Sequence, residues 1–265
     1  MSPFLREVVW LAIAAIALVA GLYLVVSFMV MRQHATPRSW GKNLSAALLE
    51  AVVIALTQPL IPVYYFIGRR MGGPRTGRPV IFVHGYFQNR ADFVYLAHAA
   101  RAARLGPLYG FNYNWSNDVP SCAAHLARFV ERVCRETGQP RVALVAHSLG
   151  GVVALEYARS PAGAARVERC VTIGSPHQGV TWRATMGRSA RDLRASSDYM
   201  RESAALRVSV PTLSIFSTHD NIVHPQRTSM LIDRGGADHV VPDVGHVALL
   251  FSRDVARAMV GYLSA

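Results

Sequence analysis

The stretch RVALVAHSLGGVVALEY, Arg141 to Tyr157, runs five apolar residues into His147 and Ser148, passes through Leu149, Gly150 and Gly151, and resumes an apolar helical pattern. A β-branched run, a glycine-marked break and a helical period read as strand, sharp turn and helix, with Ser148 on the turn. Ala146 and Gly150, two residues to either side, are small enough for the backbone to fold sharply, and N–H groups at a helix start point toward developing negative charge. A serine in a glycine-rich turn can be a turn residue only, but the strand and helix flanking this one favour a nucleophile. A serine hydroxyl attacks poorly at neutral pH. It needs a base, a group that orients the base, and donors for the oxyanion that forms. Histidines 84, 147, 177, 219, 224, 239 and 246 compete as the base, and Asp220, Asp238 and Asp243 as the orienting carboxylate. His147 adjoins the serine, and adjacent side chains on such a turn point apart, so it reads as structural. Asp243 lies three residues before His246 and fits a local turn carboxylate.

The elements that must hold these groups begin at Pro79. Strands are expected at Val80–Gly85, Leu108–Trp115, Arg141–His147, Arg169–Ser175, Thr212–Ser217 and Asp238–Pro242. Helices are expected at Ala91–Gly106, at Ser121–Gly138 with Ser121 as the N-cap, at Leu149–Ser160 and at Arg253–Leu263. Strands alternating with helices imply right-handed crossovers and a parallel sheet covered on both faces. Between Gly179 and Arg207 the strands are separated by far more than a usual loop of about 2–6 residues.

Ahead of this domain, 24 residues from Val8 to Met31 carry no charge, where about 20 suffice to cross a bilayer as a helix. The apolar core of a cleaved signal is shorter, about 7–15 residues, and a core helix normally keeps a polar face. The run reads as a transmembrane anchor within a first segment, residues 1–43. A second apolar stretch, Leu44 to Gly68, is interrupted by Glu50, Gln58, Pro59 and Pro62 and reads as an amphipathic or broken helix against the bilayer or the domain, a second span being the alternative. With the glycine-rich linker it makes up residues 44–78, and the α/β domain occupies 79–265.

The net charge of +12 rests on 27 Arg and one Lys. No nucleic-acid motif or basic helix accompanies it and the arginines are scattered, so no nucleic-acid partner is expected; anionic lipid headgroups beside a membrane span fit the charge better, and a solvated arginine-rich surface is the plainer reading. The near absence of lysine points by association to a GC-rich bacterial genome, hence to an inner membrane. The flanking charges leave open on which side of the membrane the domain sits. Cys122, Cys134 and Cys170 show neither metal spacing nor a disulfide framework. There is no phosphate loop and no zinc-protease motif, so neither metal nor organic cofactor is expected.

"AHSLGG" alone is a weak signal. Together with "FVHG" upstream, "TIGSPHQG" after the next strand, and then "STHDNIVHP" and "VGHVALL" in that order, it makes the chain from Pro79 onward resemble the α/β-hydrolases, in particular bacterial lipases and esterases with an A-x-S-x-G turn. The resemblance implies Ser148 as nucleophile, Asp220 as acid and His246 as base, with the backbone N–H groups of Tyr86 and Leu149 as the oxyanion hole. It implies a reduced, mostly parallel sheet of about six strands, and a cap or lid at about 179–207. Trp182, Met186 and Tyr199 in that insert would line an apolar wall over an acyl chain, or pack the insert onto the domain. The function it implies is a membrane-anchored serine esterase or lipase acting on carboxylic esters with apolar acyl chains. The alternatives are a thioesterase or acyltransferase using the same triad, and a non-catalytic lipid-binding protein on the same fold.

Overall fold

The computed structural model describes residues 2–35, 37–181 and 186–265. Among the described residues, seven strands form one sheet: β1 (Arg70–Gly72), β2 (Val80–Val83), β3 (Leu108–Phe111), β4 (Val142–His147), β5 (Val167–Ile173), β6 (Thr212–Ser217) and β7 (Ala237–Val241). Their order is β1-β3-β2-β4-β5-β6-β7, with β1 antiparallel to β3 and every other pairing parallel.

The count of about six strands is corrected to seven by β1. Three residues with one apolar side chain, Met71, carry no readable alternation. Pairing makes this segment a strand: it lies against β3, and the Gly110 N–H donates to the Arg69 carbonyl at 2.9 Å just before it.

The helices are α1 (Pro3–Met31), α2 (Trp40–Thr57), α3 (Ile61–Tyr64), α4 (Val94–Ala102), α5 (Val119–Thr137), α6 (Leu149–Arg159), α7 (Pro161–Arg166), α8 (Arg188–Asp192), α9 (Asp198–Ala205) and α10 (Arg253–Ser264). The expected Ser121 cap of α5 is corrected to Asp118, whose carboxylate accepts the Ser121 N–H at 2.8 Å. Gly138, at φ 67°, ends that helix as expected.

Alternation along the strands sorts two cores. Ile81 and Val83 of β2, with Val142, Leu144 and Ala146 of β4, face Leu126, Val130 and Val133 of α5 and Val152 and Val153 of α6. Val80 and Phe82, with Ala143 and Val145, face Leu96 and Ala100 of α4 and Val255, Met259 and Leu263 of α10. Leu193 and Met200 of the insert are buried in the α5/α6 core.

The amino-terminal helices pack against the domain. Phe28, Met31 and Ala46 form a small cluster between α1 and α2. The buried positions of α2 are Asn43, Ala46, Glu50, Val53 and Thr57, spaced three or four apart along one face. Leu44, Leu48, Leu49, Val52 and Leu56 are exposed. In water the polarity of the two faces would be reversed. By length and composition α2 is long and apolar enough to cross a membrane.

Candidate active site

The sheet reverses direction of winding between β2 and β4, and the crevice outside the carboxyl ends of such strands is where open α/β sheets gather ligands. Ser148 follows β4 there. Its φ of 55° and ψ of −126° put a non-glycine residue in a strained turn, held by the Ser148 N–H to Ile173 carbonyl bond of 2.9 Å and the Gly151 N–H to Ser148 carbonyl bond of 3.0 Å.

Gly150 has a packing reason. A Cβ there would lie 2.3 Å from the Val83 carbonyl oxygen and 2.4 Å from that of His84, both backbone atoms that cannot move aside. Gly150→Ala is therefore expected to destabilise the protein by roughly 2–3 kcal/mol, read as a lowered thermal midpoint; an unchanged midpoint would show that β2 and α6 can separate. Ala146 faces the α5/α6 core and is fully buried, so its methyl fills space where glycine would leave a gap.

His246 follows β7 and Asp220 follows β6. The Nδ1 of His246 lies 2.8 Å from Oδ2 of Asp220. The other carboxylate oxygen accepts the N–H groups of Ile222 and Val223 at 2.8 and 2.7 Å. The end of β5 ties this pair to the serine: Ile173 accepts the Ser148 N–H, and a Cβ on the next residue, Gly174, would sit 3.1 Å from Asp220 Oδ2 and 3.3 Å from His246 Nδ1. Burial alone would lower the pKa of His246; the charge and hydrogen bond of Asp220, with a further contribution from Glu50, outweigh it and raise the imidazole above its ordinary value.

His239 is exposed on β7, and the other rival groups are engaged elsewhere. Asp243 is bound to Arg38 at 3.1 Å, Lys42 at 3.3 Å and His219 at 3.3 Å, and Asp238 accepts the N–H of Leu231 at 2.8 Å. His177 contacts Thr172, and burial pushes its pKa down to about 3. His84 contacts the Gly85 carbonyl and is stacked on Tyr113. His224 is stacked on His34. His147 has Nδ1 2.7 Å from Gln88 Oε1 and Nε2 3.1 Å from the His246 carbonyl. Burial holds it neutral, and a neutral imidazole has one N–H to give to either contact.

For the oxyanion donors, Leu149 is the first residue of α6, so its N–H has no intrahelical acceptor. Tyr86 follows Gly85, where a Cβ would lie 2.8 Å from the Ser148 Cβ, so this backbone passes beside the serine. Gln88 fixes it by accepting the Gly85 N–H at 2.9 Å. The Tyr86 ring meets Phe87 and Trp115, and its hydroxyl donates to the Met186 carbonyl, which ties the insert to this loop. Tyr199 donates to Glu156 of α6 at 3.0 Å and packs against the core; Trp182 lies outside the described residues.

Three contributors were given no role by the sequence. Gln88 organises the Gly85 turn, Asn221 accepts the His246 N–H at 2.9 Å, and Glu50 of α2 accepts the N–H groups of Val247 and Ala248, each at 2.8 Å. Asn221 lies within the STHDNIVHP stretch, and Glu50 stands out as the one charge in the apolar stretch from Leu44 to Gly68.

Residues 78–208 match the family model described as alpha/beta hydrolase fold. Together with the sheet order, the match shows that the domain containing residues 78–208 has the α/β-hydrolase fold. Among solved structures, it is similar to Aspergillus fumigatus lipase B, with TM-score 0.63, 19% identity, and coverage of 71% of this chain and 52% of that one. The mature Bacillus licheniformis lipase BlEst2 superposes with TM-score 0.60 at 14% identity, covering 72% of this chain and 99% of the other. The esterase from Exiguobacterium antarcticum gives TM-score 0.58 at 17% identity, covering 73% and 94%. This chain thus spans about half the length of the Aspergillus lipase and nearly all of the two bacterial enzymes.

Proposed function

We propose that the protein is a membrane-anchored serine hydrolase that cleaves carboxylic esters with apolar acyl chains. The observation that carries the reading is the buried Asp220–His246 hydrogen bond at 2.8 Å, joined through the end of β5 to a serine on a strained strand-to-helix turn. In this reading His246 takes the Ser148 proton as Oγ bonds to the ester carbonyl carbon, and the oxyanion sits on the N–H groups of Tyr86 and Leu149. Collapse breaks the ester C–O bond, the alcohol leaves with the proton from His246, and water repeats the sequence to release the acid.

The apolar substrate follows from where the crevice faces. Ser27 of α1 reaches Asn221, and Glu50 of α2 reaches the residues after His246, so the loops of the site lie under the amino-terminal helices. α1 is 29 residues long, about 43 Å at helical rise, against about 30 Å of bilayer hydrocarbon. The outward leucines and Val52 of α2 suit lipid better than water.

The test of the chemistry is labelling of detergent-solubilised protein by a fluorophosphonate, comparing wild type with Ser148→Ala and His246→Ala, beside hydrolysis of p-nitrophenyl esters of increasing chain length. Labelling of wild type alone, with an optimum beyond short acyl chains, is the expected result. Absence of labelling in folded wild type would favour the non-catalytic reading. For the anchor, deleting residues 1–43 is expected to move the protein from carbonate-washed membranes to the supernatant, partly or wholly; complete retention would assign the anchoring to residues 44–68.

A further inference from the structure

We infer that Glu50 is a positioning residue for His246, so that the amino-terminal helices form part of the active site as well as its tether. The inference rests on the Ser148, His246 and Asp220 reading and adds to it a residue from outside the segment matched to the hydrolase family.

Glu50 is 1% exposed, and its two carboxylate oxygens accept the N–H groups of Val247 and Ala248 separately. A Cβ on Gly245 would stand 2.6 Å from Glu50 Oε2, so the carboxylate packs against the residues on both sides of His246. The N–H of His246 itself is taken by Asn221, whose amide donates to Ser27 Oγ of α1 at 2.9 Å. Three successive backbone N–H groups, 246 to 248, are therefore fixed by side chains, and two of the three point at α2. A histidine on a loop swings with its backbone, and Asp220 restrains only the ring.

A carboxylate here is costly to bury, and no Arg or Lys pairs with Glu50 among the described residues. Glutamine would supply one acceptor for two donors and turn an NH2 group toward a backbone N–H. Burial raises the pKa of Glu50, and the N–H bonds from Val247 and Ala248 and the charge of His246 act against that rise; in its ionised form Glu50 favours the imidazolium that His246 becomes when it takes the serine proton. The titratable groups that share its surroundings are Asp220, His246 and the Tyr23 hydroxyl of α1.

The experiment uses full-length protein in detergent, with Glu50→Gln and Gly245→Ala beside wild type. Each is read by fluorophosphonate labelling rate, by kcat and KM on a p-nitrophenyl ester across pH, and by thermal unfolding. Glu50→Gln is expected to lower kcat by about 10²-fold with KM little changed, and to move the acid limb of kcat/KM to lower pH, because a charge that favours the imidazolium is gone. A purely structural contact would not move that limb. Gly245→Ala keeps the charge but pushes the carboxylate off its two donors, and is expected to slow labelling with the acid limb near its wild-type position. A folded Glu50→Gln with wild-type rate and acid limb overturns the inference, as does an unslowed Gly245→Ala should Glu50→Gln fail to fold. Wild type that resists the probe would instead overturn the triad reading, and this inference with it.

Discussion

Replacing Ser148 by alanine is expected to reduce ester hydrolysis on the order of 10⁶-fold, the scale at which loss of a triad nucleophile leaves only binding and oxyanion stabilisation. The fold should persist. Ser148 is 8% exposed and the substitution removes one oxygen, while the φ of 55° is held by backbone bonds to Ile173 and from Gly151 that alanine retains. The stability change is expected within about 1 kcal/mol. Hydrolysis and fluorophosphonate labelling should therefore vanish from a protein with an unaltered thermal midpoint. Turnover persisting in that variant would show that another group attacks.

Asp220→Asn is expected to lower kcat/KM by about 10⁴-fold at neutral pH with little loss of stability, a magnitude taken from the corresponding substitution in a serine protease. The reason lies in the carboxylate's two sides. One oxygen accepts the N–H groups of Ile222 and Val223, and an asparagine oxygen would stay there. Its NH2 would then face His246 Nδ1, where Asp220 Oδ2 now lies at 2.8 Å. That arrangement makes Nδ1 an acceptor and puts the proton on Nε2, so the imidazole cannot take one from serine. Asp243→Asn is the discriminating control: its carboxylate serves Arg38, Lys42 and His219, and hydrolysis should survive. Equal losses in the two variants would mean that the acid had been assigned to the wrong carboxylate.

The α5/α6 face of the sheet was legible in the sequence, because strands of β-branched residues feeding amphipathic helices state their own periods. Two boundaries were misread for the same physical reason. β1 exists because Arg70–Gly72 lies along β3, and Asp118 caps α5 three residues ahead of the expected cap because the chain places its carboxylate on the Ser121 N–H. Neither pairing has a local signature. The insert likewise yielded its length to sequence but not its contacts: Leu193 and Met200 proved to be core, and Tyr199 is tied to Glu156.

Alone, the sequence determined a sharp strand-to-helix turn at Ser148, since a short strand, small flanking residues and a helix start stand within a few residues of one another, while the strained φ of that serine is held by the tertiary bond to Ile173. It also determined the apolar character of the first helix, which is a matter of composition. The resemblance already favoured Asp220 over Asp243; the Asp220–His246 hydrogen bond itself, the work of Gln88 and Asn221, and the presence of Glu50 beside the histidine were decided only by the tertiary structure. These contacts join residues up to 198 positions apart. Hydrogen bonds of that span depend on where the sheet brings chain segments together, and no local periodicity encodes it.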